Sequence, residues 1–277
     1  TYPASLAILT WKAPKTLNQT LASLKPIKQL FAELIVVCQE ADSREEQVAK
    51  KHGFEPILLK ENIGIQHGLK RAVQSCSHEH VLLLENDCFL TGGLSNSIKT
   101  LVSMNRLLGT EKIDFGSLQV LPNYPSKKFF SYWKIQNSNL QPTLIGRLRQ
   151  QNANAILSDA IGLSPPVNFP LTAVRSFDDS LFLTNSRYRK WSNRAVYVSK
   201  SFFLEKIIAF AEQNPTSRHC NGLPELEHRI NSRAKRHWWR SQKFKIAVAH
   251  PGLFDHQRFD RSADDDKRIN GGPIREF

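Results

Sequence analysis

The chain has 277 residues, 40% of them hydrophobic, 9% aromatic and 23% charged, which is enough length and apolar content for a proper core and excludes collagen-like, low-complexity and wholly disordered classes. Lys and Arg number 38 against 25 Asp and Glu, a net charge of +13 that favours anionic partners: nucleic acid, an acidic membrane surface or a phosphorylated small molecule. No apolar run approaches the roughly 18 residues of a membrane span; stretches such as Leu34–Val37 and Val81–Leu84 are strand-sized.

The four cysteines, Cys38, Cys76, Cys88 and Cys220, form no C-x-x-C pair, so a zinc ribbon is disfavoured and free thiols in a reducing compartment are expected. A cytoplasmic setting follows, with membrane-surface association left open. The chain begins at Thr1 rather than Met, which leaves room for a removed signal or anchor ahead of it.

The first 90 or so residues alternate strand and helix. Ser5–Trp11 reads as a short buried strand, and Pro14 opens a helix carrying Leu17, Leu21 and Leu24 before Pro26 ends it. Glu33–Gln39 is a second strand. Ser43 and Glu46 form a capping box for a helix that Gly53 closes. Pro56–Leu59, a helix over Gly64–Cys76 and a strand over His80–Leu84 complete the pattern, which predicts a parallel sheet covered on both faces. Residues 119–190 are rich in Pro, Asn, Ser and aromatics and read as loops and short strands forming a wall or lid. Ala195–Lys200 follows as a strand and Ser201–Gln213 as a helix burying Phe202, Ile207 and Phe210. Pro224 begins a further helix with Leu226, Ile230 and Trp238 on one face. Phe244–Ala249 is the closing strand, followed by a polar tail.

In open parallel sheets, ligands bind beyond the carboxyl ends of the strands. Thr10, Trp11, Glu40, Asn62, Gly64 and the triplet Glu85-Asn86-Asp87 all fall there. Each alone reads as a turn or cap; together they lie on one rim. In extended chain, positions i and i+2 face the same way, so Glu85 and Asp87 can address one point. Two hard oxygen donors beside an open site suit Mn2+ or Mg2+.

On these residues the segment Ser5–Leu90 resembles the nucleotide-binding half of a GT-A-fold glycosyltransferase of the family 2 kind. The resemblance implies that Leu9-Thr10-Trp11 touches the nucleotide and that Glu40 lies near base or ribose. Asn62-Ile63-Gly64 matches the N-x-G stretch opening the next helix, with Gly68 and Lys70 further along it. Glu85-Asn86-Asp87 stands where the family has D-x-D: Asp87 matches the metal-binding position, while Glu in place of the first Asp leaves that residue's contact with metal open. In the last third, Pro224-Glu225-Leu226-Glu227 resembles the acidic stretch carrying the general base of inverting members, with Glu225 first and Glu227 as the fallback. A histidine commonly follows the closing strand near the metal or diphosphate, and His256 fits that better than His250.

Arg218 to Lys245 is dense in basic residues, interrupted by His237-Trp238-Trp239. Basic residues between aromatics suit nucleic acid or an anionic membrane carrying a lipid-linked acceptor; a solvated helix face over core tryptophans explains them as well.

The expectation is therefore an α/β, GT-A-like chain with a mostly parallel sheet, helices on both faces and an acceptor-side lobe. Residues 1–118 would form the nucleotide-sugar half and 119–277 the acceptor and catalytic half. The implied activity is metal-dependent transfer from a nucleoside-diphosphate sugar, a UDP-sugar by resemblance, to a hydroxyl of a glycan or lipid-linked acceptor. The alternatives are a nucleotidyltransferase, disfavoured because Thr10–Lys15 has no glycine, a basic nucleic-acid-binding module, which leaves the acidic triplet unexplained, and an inactive nucleotide-sugar binder.

Overall fold

The computed structural model describes residues 2–120, 175–187, 189–215, 219–220, 223–232, 234–257 and 259–260. The expected lid over 119–190 and the polar tail fall largely outside them. Four strands open the chain: β1 (Tyr2–Trp11), β2 (Phe31–Gln39), β3 (Glu55–Leu58) and β4 (His80–Glu85). They are joined by α1 (Pro14–Ser23), α2 (Ser43–Lys51) and α3 (Gly64–Ser75) and pair in parallel in the order β3-β2-β1-β4. Parallel neighbours need crossovers, and these helices supply them.

Burial alternates along β1 as the pleat requires. Ala4, Leu6 and Ile8 pack into one cluster with Leu17 and Leu21 of α1, whereas Ala7 and Leu9 pack with Leu69, Ala72 and Val73 of α3 on the other face. Gly68 makes that second approach possible: a Cβ there would stand 2.7 Å from Leu9. Pro14 opens α1 as expected, but Asp42 rather than Ser43 caps α2, accepting from the amides of Arg44 and Glu45. The helix starts at Ser43 itself, so the carboxylate one residue earlier is the group in capping position.

Past β4 come β5 (Cys88–Leu90), α4 (Leu94–Gly109) and β6 (Phe115–Ser117). Then follow β7 (Arg175–Ser176), β8 (Leu181–Asn185) and β9 (Val196–Ser199). The helix α5 is continuous from Lys200–Phe202 through a π-helical stretch, Phe203–Ile208, into Ala209–Gln213. It buries Phe202 and Ile207 and leaves Phe210 half-buried. A small ribbon, β10 (His219–Cys220) with β11 (Leu223–Pro224), precedes α6 (Leu226–Asn231) and α7 (Arg236–Gln242). The chain closes through β12 (Lys245–Ala249) and β13 (Phe254–His256).

The main sheet has nine strands in the order β3-β2-β1-β4-β9-β6-β12-β8-β7, with β8 and β9 running against the rest. It is mostly parallel with helices on both faces, as expected. β6 lies between β9 and β12, so strands from before and after residue 118 interleave in one sheet. The single helix expected from Pro224 is instead two: Pro224 sits in β11, and the helix-terminating Ser232 breaks the run. Trp239, not Trp238, enters the core at 1% exposure.

This bears on the basic stretch. Trp238 stacks on Phe210 with ring centroids 3.5 Å apart, Trp239 Nε1 donates to the Arg189 carbonyl, and Arg229 is buried with its guanidinium on the Ala211 carbonyl. Trp239 is a core residue and Trp238 is half-buried against the core, its ring face already covered by Phe210. Arg218 and Arg233 lie outside the described residues. Cys38, Cys76 and Cys88 are buried free thiols, and burial pushes Cys38 and Cys76 up to about 12. The side chain of Cys220 lies outside the described residues. Among the described residues no helix is long and apolar enough to cross a membrane.

Candidate active site

β4 delivers Glu85 to the carboxyl rim of the sheet, where Glu85 is paired in register with Leu9 of β1. A turn at Asn86 and Asp87 then leads into β5, which pairs antiparallel with β13 and sets His256 opposite Cys88. The turn and the ribbon together bring Glu85, Asp87 and His256 to one point, with a ligand atom of each within 4.8 Å of the others. His256 Nε2 is 2.7 Å from Asp87 Oδ2, and Asp87 is only 2% exposed. The Gln257 amide donates to the Asp87 carbonyl at 2.9 Å and fixes the ribbon to the turn. Two carboxylates with one imidazole form a compact donor set. Hard oxygen donors suit Mg2+ and Mn2+, and the imidazole tilts the set toward the softer Mn2+.

The turn is held from below by a buried chain of hydrogen bonds. Asn86 Nδ2 donates to Thr10 Oγ1 at 3.1 Å, and Thr10 Oγ1 donates to Glu45 Oε1 at 2.6 Å. Glu45 also accepts from the Ala13 amide at 3.1 Å, and Thr20 bonds the Asn86 carbonyl. Burial raises the Glu45 carboxyl above its ordinary range despite the Thr10 and Ala13 bonds that favour its charge. Nothing in the sequence patterning singles out Glu45; its position in the first turn of α2 reads as a routine helix acid. Thr10 and Asn86 are thus placed as supports of the turn, with their polar groups engaged inside the protein.

On the other side of β1, Trp11 Nε1 donates to Glu40 Oε2 at 3.0 Å and the Lys12 ammonium pairs with Glu40 Oε1. The Lys12 bond, followed by that of Trp11, holds the Glu40 carboxyl below its ordinary range. Lys12 and Glu40 both have φ of 46°, in the left-handed region, and such backbone persists only where the surroundings enforce it. Asn62 Oδ1 accepts from the Gly64 amide at 2.9 Å, and Gln39 Oε1 from the Ile63 amide at 3.0 Å, shaping the entry to α3. Gly64 has φ of 81°, and a Cβ there would meet Leu223 of β11 at 2.8 Å, so glycine is required twice over.

Lys70 is drawn elsewhere: its ammonium pairs with Glu212 of α5 at 2.6 Å, two turns down α3 from the rim. Glu225 is half-buried at the start of α6, two residues past Leu223, which packs on the start of α3. Glu227 is committed to structure, accepting from Ser192 Oγ at 2.9 Å and the Asn193 amide at 2.8 Å. His250 leaves the rim: its ring meets Phe182 edge-on and its amide bonds the Ser180 carbonyl.

No protein-family model matches the chain, and no curated protein does. Solved structures do. S. aureus TarS, residues 1–349, superposes with a TM-score of 0.52 at 13% identity, over 92% of this chain and 60% of that one. Glucosyl-3-phosphoglycerate synthase from Mycobacterium tuberculosis, in a complex with Mn2+, uridine diphosphate and glucosyl-3-phosphoglycerate, superposes with a TM-score of 0.49 at 14% identity, over 97% and 76% of the two chains. The chain spans about three fifths of the length of the TarS structure. The fold is GT-A: a Rossmann-like, mostly parallel sheet with an acid-bearing turn at the end of its fourth strand.

Proposed function

We propose that the protein is a metal-dependent glycosyltransferase that moves a sugar from a nucleoside-diphosphate donor to a hydroxyl acceptor. The observation that carries this reading is the meeting of Glu85, Asp87 and His256 at the carboxyl rim of a GT-A sheet. Trp11, Glu40 and Asn62 stand on the β1–β2 side of that cluster, where the nucleoside would lie, with UDP as the first choice. Asp87, Glu85 and His256 would hold Mn2+ or Mg2+ against the donor diphosphate. A cation there offsets charge on the departing nucleoside diphosphate.

The chain's own groups supply the rest. The Glu45–Thr10–Asn86 chain keeps the acid turn in one conformation, so the cluster is preorganised. An acceptor hydroxyl is a poor nucleophile at neutral pH, and a positioned carboxylate that takes its proton gains about 10²–10⁴-fold. Glu225 is the base in this proposal, with inversion at the sugar, because Glu227 already accepts two structural hydrogen bonds.

The test is a panel of nucleotide sugars with and without Mn2+, read by release of nucleoside diphosphate. Mn2+-dependent release that stops with chelator supports the reading. Binding without turnover would leave a nucleotide-sugar binder, and no binding of nucleotide or metal would overturn it.

A further inference from the structure

Beside the cluster, on the side away from the expected nucleoside, lies a cavity of about 230 Å3 lined by Cys88, Gln119, Arg194, Phe254, Asp255 and His256, among others. In the sheet order β3-β2-β1-β4-β9-β6, the nucleoside residues stand at the ends of β1 and β2. The cavity lies instead between the β5–β13 ribbon and the segments after β6 and before β9, beyond β4. A donor reaching the metal cluster from the β1–β2 side would therefore present its sugar toward this cavity.

Arg194 supplies its cationic side chain. Among the described residues no ion pair or hydrogen bond engages its guanidinium, whereas Lys12, Lys50, Lys70 and Lys99 are each paired with a carboxylate. The one carboxylate lining the cavity, Asp255, turns back on its own ribbon, accepting from the His256 amide at 2.8 Å.

The loop that carries Arg194 is fixed on both sides. Glu227 holds Ser192 and Asn193, Trp191 Nε1 donates to Asn193 Oδ1 at 2.8 Å, and Asn231 clasps the Trp191 backbone. The Leu118 amide bonds the Ala195 carbonyl at 2.9 Å. Ala195 itself sits at φ 46°, a strained conformation for a residue with a Cβ and one that clusters at ligand-holding sites. The backbone at Gln119, which also lines the cavity, is closely packed as well: a Cβ on Gly252 would strike its carbonyl at 2.3 Å.

We infer that this cavity seats an anionic group of the acceptor, a phosphate or carboxylate on a small hydroxylated molecule, and that Arg194 recognises it. The inference rests on the glycosyl-transfer reading and narrows its acceptor. A cavity below the roughly 300–1,000 Å3 of drug-sized ligand sites suits one small polar group rather than an oligosaccharide. A planar guanidinium on a prefixed loop is the group best matched to a phosphate or carboxylate, and its preorganisation lowers the cost of binding.

The test titrates the full chain with glycerol 3-phosphate, glycerate and glycerol by calorimetry, first without metal or nucleotide. The two anions should bind and glycerol should not; Arg194→Ala should weaken the anions at least tenfold, with Arg194→Lys in between. Equal binding of glycerol and glycerol 3-phosphate, or unchanged affinity in Arg194→Ala, overturns the inference. A second titration measures UDP with Mn2+, where Arg194→Ala should stay within twofold of the wild type. A tenfold loss of UDP affinity would instead assign Arg194 to the donor diphosphate and overturn the acceptor role. If the wild type binds the anions through Arg194 but neither UDP nor Mn2+, the glycosyl-transfer reading fails while the anion site stands.

Discussion

His256 Nε2 lies 2.7 Å from Asp87 Oδ2, and the two residues reach each other only because β13 pairs with β5. One comes from near the end of the described chain and the other from the turn that follows β4. The pair is nearly closed to solvent on the aspartate side, so the imidazole helps to compensate a carboxylate that water scarcely reaches.

Asp87→Asn should therefore lower Mn2+ affinity by more than the roughly 10–100-fold typical of losing an outer partner of a ligand. His256→Gln should lower it too, and should destabilise the metal-free protein by about 1–3 kcal/mol by leaving a buried carboxylate without its imidazole. The two changes touch one contact, so the metal-free double variant should be no less stable than His256→Gln alone. Mn2+ titration and thermal unfolding of the four proteins check this. Additive losses of stability would mean that the contact carries no coupling.

Gly252 offers a prediction about the frame of the site. A Cβ there would lie 2.3 Å from the Gln119 carbonyl oxygen and 2.5 Å from the Val120 nitrogen, both backbone atoms that no rotamer change can move. The same backbone is tied to β13 by the Val120 amide on the Phe254 carbonyl and the Leu253 amide on the Leu118 carbonyl. Gly252→Ala should cost about 1–3 kcal/mol, as overpacking typically does, and should weaken Mn2+ binding by displacing His256. Unfolding in denaturant and metal titration read the two effects separately, and a normal melting profile would show that the contact relaxes freely.

The first part of this fold was legible because its signals are local. Alternating apolar runs, Pro14 at a helix start and Gly53 at a helix end each act within a few residues, and β1–β4 with α1–α3 follow from them. Asp87 and His256 were legible as separate candidates, one after a buried strand and one after the closing strand. Only the family resemblance set His256 at the metal with Asp87; patterning could not show their contact, because it depends on two three-residue strands too short to show a period. α4 was absent from the sequence-based expectation although Leu101, Met104, Leu107 and Leu108 mark its buried face; it opens at Gly93 with no side-chain cap to announce it. Glu45 and Arg194 gave no pattern at all, and Glu227 was legible only as the fallback base, not as the anchor of Ser192 and Asn193. Their roles come from partners far along the chain.

Glu45 carries a pH signature. Its carboxyl is raised above the ordinary glutamate value of 4.5 by burial, so the folded protein holds that proton more tightly than the unfolded chain. The associated stability is complete below 4.5 and is lost as pH climbs through the raised folded value. Gln cannot titrate but keeps an oxygen for Thr10 and Ala13. The stability of the wild type relative to Glu45→Gln should therefore fall as pH rises from acid toward neutral, measured by thermal unfolding across that range. A difference that stays constant with pH would show that Glu45 titrates alike in both states.

Glu225 and Glu227 stand two residues apart and should separate cleanly. Glu227 accepts from Ser192 Oγ and the Asn193 amide, bonds that fix the loop carrying Arg194. Hydrogen bonds to a charged group contribute about 1.5–3 kcal/mol, so Glu227→Ala should lower stability by that order. It should also weaken binding of glycerol 3-phosphate, because Arg194 loses its fixed loop, while UDP and Mn2+ affinity change little. Glu225 makes no side-chain capping hydrogen bond at the start of α6. Glu225→Gln should fold normally and bind donor and Mn2+ like the wild type, yet lose transfer by about 10²–10⁴-fold, the worth of a positioned base. The loss should fall on kcat rather than on donor affinity. Donor hydrolysis gives a second readout, since a water would need the same deprotonation. Near-normal transfer by Glu225→Gln would remove it from the reaction and favour retention at the sugar, with no carboxylate base on the acceptor side.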